Sequence, residues 1–182
     1  MWPFPDEQAF RAWAADPDAW LSEQDEDLML HDPAGLPLLL SAAQDPDCPK
    51  KDYCVDVLAD YARRIVGWDK VDVYQALRET ATTAAASHDS RARQWSEYVT
   101  RLFSYRAKAR PVNRAGAEQM AADLLLGPAD RLVVQVAPGG KHWQCAEPDA
   151  YPTYLYINRR TGSFRLVRFQ PLSTAELAAL PS

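Results

Sequence analysis

The sequence predicts an α+β fold, with a mostly helical part over residues 1–127 followed by a small antiparallel β-meander over 128–182. Three observations carry this. Apolar residues recur with a period near 3.6 through the first two thirds of the chain, the period drops to 2 after Pro128, and Asp-Pro, Pro-Gly-Gly and Thr-Gly steps punctuate the segments. A chain of 182 residues fits one domain, and 47% apolar with 25% charged residues is the balance of a globular protein. Six Trp, eight Tyr and five Phe supply large core side chains, so most of the chain is expected to be ordered.

Taken in order, Asp6 and Glu7 open a first helix through Phe10, Trp13 and Ala14, with carboxylates at its positive end. Asp16-Pro17-Asp18 stops it and is expected to cap the next. Trp20, Leu21, Leu28 and Leu30 predict a second helix that ends near His31-Asp32-Pro33. A short buried helix over Leu36 to Ala43 has Gly35 and Pro37 in its first turn and ends at Asp45-Pro46-Asp47. From Lys50 onward, Tyr53, Cys54, Val57, Leu58, Tyr61, Ala62, Ile65 and Val66 mark one face of a helix closed by Gly67. Two helices follow, about 69–87 and 89–107, with Asp69 and Asp89 as caps, then one from Arg114 to Leu126 closed by Gly127-Pro128. No fixed repeat of about 33 to 45 residues underlies the Asp-Pro steps, so a solenoid is rejected.

The β-rich runs are Arg131 to Val136, Lys141 to Cys145, Thr153 to Asn158 and Ser163 to Phe169. Turns at Pro138-Gly139-Gly140, Glu147-Pro148-Asp149 and Thr161-Gly162 separate them, for three or four strands in all. Ser173-Thr174-Ala175-Glu176 reads as a capping box that opens a terminal helical turn.

Charge is unevenly spread. Residues 1–87 carry 17 acidic and 7 basic side chains, and residues 88–182 carry 8 acidic and 13 basic, a net of −10 against +5. Asp6 to Asp32 holds nine carboxylates and one Arg, whereas Arg91 to Arg114 holds seven cations opposed only by Glu97. That basic stretch (Arg91, Arg93, Arg101, Arg106, Lys108, Arg110, Arg114) could meet an anion. A pI near 5.2 argues against a nucleic-acid partner, and pairing with the acidic half is the simpler account.

Motifs that would carry chemistry are weak. The chain has no P-loop, G-x-G-x-x-G, G-x-S-x-G or H-E-x-x-H, so no catalytic residue is assigned and a non-enzyme is expected. His88, Asp89 and Ser90 have the residue types of a triad, but neighbours in sequence point apart, and helix capping accounts for the last two. His142 and Cys145 lie three apart on a strand and so face opposite sides. The acidic run lacks the spacing of a calcium loop, so neither metal nor cofactor is expected. Cys48, Cys54 and Cys145, odd in number and without a C-x-x-C pair, read as reduced core thiols. The chain start lacks a basic and apolar leader, and no apolar run approaches the ~20 residues of a membrane span, so a cytoplasmic protein with no membrane partner is expected.

Trp13, Trp20, Trp68 and Trp95 fall on apolar faces of predicted helices and read mostly as core, while Trp2 and Trp143 are less constrained and read as surface anchors. The acidic N-terminal stretch remains the best candidate for function. Asp16, Asp18, Trp20, Glu23, Asp25, Glu26 and Asp27 would attract a basic partner quickly and hold it about an aromatic centre. In its acidity, its Trp, Tyr and Asp-Pro content, and its helices followed by a hairpin such as Leu155-Tyr156-Ile157-Asn158-Arg159-Arg160-Thr161-Gly162, the chain resembles bacterial immunity proteins that neutralise polymorphic or secretion-system toxins. The resemblance implies one-to-one binding to a cognate, basic toxin domain. The alternative is a small enzyme or ligand-binding protein with a pocket between helices and sheet, lined by Tyr154, Tyr156, His142 and Arg165.

Overall fold

A computed structural model of the chain describes residues 3–30, 32–67, 73–107, 110–125, 131–146, 153–168 and 170–180. Trp2, His31, Trp68, Asp69, Lys108, Gly127-Pro128, Glu147-Pro148-Asp149 and Phe169, which figure in the sequence reading, lie outside the described residues. The element order is α1 (Glu7–Ala15), α2 (Glu23–Met29), a 3-10 turn (Pro33–Gly35), α3 (Leu36–Gln44), α4 (Lys51–Gly67), α5 (Tyr74–Ala85), α6 (Ser90–Ala107) and α7 (Arg114–Leu125). The strands β1 (Val133–Val136), β2 (His142–Ala146), β3 (Thr153–Asn158) and β4 (Phe164–Arg168) follow, and α8 (Thr174–Ala179) comes last. Helices thus come first and an antiparallel sheet last, the α+β order that the change of period predicts. Two compact units divide the chain, Met1–Thr100 and Arg101–Ser182, and the division falls inside α6.

In the first unit α3 packs on α4, and also on α1 and α5. The predicted stripe of α4 is the one that is buried: Cys54, Leu58, Tyr61, Ala62, Ile65 and Val66 are all sealed from solvent, as are Leu36 and Leu39 of α3 and Leu77 of α5. Each such aliphatic side chain contributes roughly 1.5 to 3 kcal/mol of transfer free energy. Arg63 on α4 donates to the Tyr98 hydroxyl of α6 at 3.1 Å and to Asp60 at 2.9 Å, so its charge is matched where it passes the core.

The helix ends follow from one recurring device. After each Asp-Pro step, the aspartate Oδ1 accepts the backbone N–H two residues on: from Asp18 to Asp16 at 2.9 Å, from Ala34 to Asp32 at 3.0 Å, and from Asp47 to Asp45 at 2.9 Å. The open C-terminal carbonyls of α1 are met by the turn after α3, where Cys48 Sγ donates to Ala14 O at 3.4 Å and the Lys50 ammonium to Asp16 O. Asp6 caps α1 through the Ala9 N–H (2.8 Å), and Asp89 caps α6 through that of Ala92 (2.8 Å), as the sequence reading expects.

In the second unit the sheet order is β1-β2-β3-β4, a simple meander with β1 and β4 at its edges. Gly139, Gly140 and Gly162 take positive φ in the first and last turns (85°, 73° and 73°), where a side chain would be strained. One face, with Cys145 and Leu155, lies under α7, and Cys145 Sγ comes within 3.9 Å of Ala117 O. On the other, Tyr156 and Ala137 pack with Leu177 of α8. The capping box at α8 is complete, since Ser173 Oγ accepts the Glu176 N–H (3.3 Å) and Glu176 accepts the Ser173 N–H (2.8 Å).

The Asp-Pro device gives a direct test. Asp45→Ala removes the acceptor for the Asp47 N–H and is expected to lower stability in urea unfolding by about 1 kcal/mol. Asp45→Asn keeps the acceptor and should come within a few tenths of a kcal/mol of the parent chain. Equal losses in both would assign the effect to charge and remove the hydrogen bond from the explanation.

Candidate partner-binding surface

The acidic segment between α1 and the start of α2 is built on two caps. Asp16 ends α1, its carbonyl holding the Ala19 N–H (3.3 Å) and its carboxylate the Asp18 N–H, so the chain leaves the helix sharply through exposed Pro17 and Asp18. Ser22 then opens α2 by accepting the Asp25 N–H (3.2 Å), while its hydroxyl donates to the Asp25 carboxylate (2.8 Å). Between the caps residues 19–22 take no regular secondary structure, and Trp20 is 93% exposed. This corrects the reading of Trp20 as a helix-face core residue. The helix begins three residues later, because Ser22 is the side chain that can satisfy its first free N–H groups.

The site residues named from sequence thus divide. Asp16 and Asp25 are held in structural hydrogen bonds, Asp18 and Trp20 stand on the surface, and positions 23, 26 and 27 share one side of α2 by helical spacing. The side chains of Glu23, Glu26 and Asp27 lie outside the described structure. Among the described residues the other large exposed apolar ones are Val133 (48%) and Val136 (46%) on edge strand β1. Three apart on a strand, they face opposite sides and form no single patch.

Trp143, read from sequence as a surface anchor, is 8% exposed, which corrects that reading. Its indole N–H donates to Val112 O at 2.8 Å, and the Arg159 guanidinium covers its ring at 4.8 Å. Tyr154, Tyr156, His142 and Arg165, expected to line a pocket, do share the sheet face opposite α7, by the pairings Tyr156↔Arg165, Tyr154↔Ala146 and His142↔Asn158. Tyr156 is sealed by Leu177 and Ala137, and its hydroxyl accepts the Leu172 N–H at 2.9 Å.

No protein-family model, no curated protein and no solved structure matches the chain. The surface must therefore be judged on its own chemistry. Among the described residues no three His, Cys, Asp or Glu side chains stand where they could share a metal ion, and no helix is long and apolar enough to cross a membrane. All three cysteines are buried as free thiols, and burial pushes Cys54 and Cys145 up to about 12, which keeps them protonated and unreactive.

Sequence reasoning missed a second charged feature. Arg114, Lys141, Arg159 and Arg160 line one cleft of about 640 Å³ in the C-terminal unit. They come from three separate stretches, and only Arg114 belongs to the basic run seen in the sequence. A meander places its first and third turns at the same end, so the positions of Lys141 and Arg159-Arg160 beside those two turns were the available signal.

His142 offers a pH test of the buried face. Burial, and then the neighbouring Lys141, hold it below its ordinary 6.5, so the folded chain keeps it neutral where the unfolded chain takes up a proton. Its contribution to stability is complete above pH 6.5 and is lost as pH falls from 6.5 toward the lower folded value. His142→Gln is expected to flatten the fall of Tm across that window relative to the parent. Parallel Tm profiles would show that His142 does not titrate differently on unfolding.

Proposed function

We propose that this protein is a protein-binding inhibitor of the immunity type, which acts in the cytoplasm by direct binding of a basic toxin domain through the acidic segment around Trp20. The observation that carries the reading is the exposure of Trp20. Leaving about 200 Å² of aromatic surface in water forgoes on the order of 5 kcal/mol at about 25 cal/mol per Å². Asp16 and Asp18 precede it, and Glu23, Asp25, Glu26 and Asp27 follow it closely. Tryptophan is the residue type most enriched among those that dominate protein interfaces, and a rim of like charges supplies steering and selects partners of opposite sign.

The two parts of the surface have separable kinetic roles. Trp20→Ala is expected to weaken the complex at least about 30-fold, mainly through faster dissociation. Reversing Asp18, Glu26 and Asp27 to Lys is expected to slow association by a factor that shrinks as salt rises. Asp16 and Asp25 are left intact because their carboxylates hold the local turns. The partner is sought by affinity capture with parent and Trp20→Ala chains in parallel, including products of neighbouring genes, and then expressed alone and together with this protein. A stoichiometric partner that is toxic alone, neutralised by the parent chain and lost from the variant supports the reading. A partner held equally by both chains, or one whose toxicity persists, overturns it.

A further inference from the structure

The geometry points to a second binding site, in the C-terminal unit, for a phosphorylated small molecule. Its cleft of about 640 Å³ has Pro111, Val112 and Trp143 as apolar walls and Arg114, Lys141, Arg159 and Arg160 as its charged lining. A neighbouring hollow of about 460 Å³ shares Pro111, Val112 and Asn113 with it and adds Arg110. Among the described residues no carboxylate lines either hollow. In a chain of net charge −5, four cations around one concavity without a lining acid form a local field that an anion would relieve.

Arg159 is the preorganised member. Its guanidinium lies against Trp143, and one nitrogen donates to Gly140 O at 2.9 Å. Its backbone is tied on both sides, N–H to Lys141 O (3.0 Å) and carbonyl to the Val112 N–H (2.9 Å). A guanidinium held flat in this way keeps further donors in a fork that suits two oxygens of one phosphate group, with little side-chain entropy left to lose. Arg160 follows on a turn locked by Asn158, whose Oδ1 accepts the Arg160 and Thr161 N–H groups at 2.9 and 3.1 Å. Arg114 has a partner, Glu118 at 2.9 Å, but that pair is exposed on both sides, so it is weak and exchangeable. It also begins α7, a helix of 12 residues capped by Asn113, whose positive end adds to the same field.

The size and shape choose among anions. Four cations exceed what one carboxylate balances, whereas a phosphate or diphosphate group presents several oxygens and two or more charges. The volume is that of a small-ligand site, and the cations line one hollow; a nucleic-acid strand would call for a charged track on a chain whose net charge did not repel it. The apolar walls provide for an organic body beyond the phosphate.

The test is isothermal titration calorimetry with pyrophosphate, ATP and adenosine, and with a single-stranded oligonucleotide as competitor. Saturable one-to-one binding of pyrophosphate or ATP that weakens with salt is expected, with none for adenosine. Lys141→Gln/Arg160→Gln, which touches no side-chain contact described above, should reduce affinity at least about tenfold, and Arg159→Gln should do the same. Arg11→Gln, on α1, should change nothing. Equal affinity for pyrophosphate and ATP would assign recognition to the phosphates alone, and tighter ATP would add the organic body; both support the site. Absence of saturable binding, binding that survives the Lys141/Arg160 pair, or a preference of more than about 100-fold for the oligonucleotide would overturn it.

Discussion

A helix can end cheaply only where its last carbonyls and the following N–H groups find partners, and in the N-terminal unit an aspartate before proline meets the second of these needs three times. Proline removes one donor, and the aspartate carboxylate takes the next, at Asp16, Asp32 and Asp45. The chain can therefore turn within two or three residues. Short helices such as α1 and α3, too short to be stable alone, are set at lengths that let α3 pack on both α1 and α4 and bring the Trp13 ring within 5.7 Å of Tyr53 on α4.

The same device explains the acidic segment. Charge at Asp16, Asp32 and Asp45 begins as turn chemistry, so acidity alone is no sign of a binding surface. The surplus is what bears on function: Asp18 has no part in ending a helix, and Trp20 lies outside the helix that should have buried it. A residue of that size left in water between two well-made caps is held there by local hydrogen bonds that the exposed ring does not share.

In the C-terminal unit the organising constraint is the meander. Its alternation gives one face to α7 and the other to α8, and its turns gather at two ends. The segment 110–113 adds to one end by pairing with the turn 159–161, Arg110 N–H to Thr161 O (2.8 Å) and Val112 N–H to Arg159 O (2.9 Å). That pairing brings cations distant in sequence to a common cleft and buries Trp143 beneath one of them.

By itself the sequence determined the element order, the buried stripe of α4, the Asp-Pro stops, the caps at Asp6, Asp89 and Ser173, and the four strand runs, because each depends on periodicity or on contacts within a few residues. It also placed His142 and Cys145 on opposite faces. Only the tertiary structure decided which tryptophan is exposed and which is buried. The fates of Trp20 and Trp143 depend on where α2 starts and on a carbonyl 31 residues away. It likewise decided that Tyr156 lies under α8, and that Arg114, Lys141, Arg159 and Arg160 line one cleft. Such facts rest on strand register and long-range packing, which bring together residues that no local pattern relates.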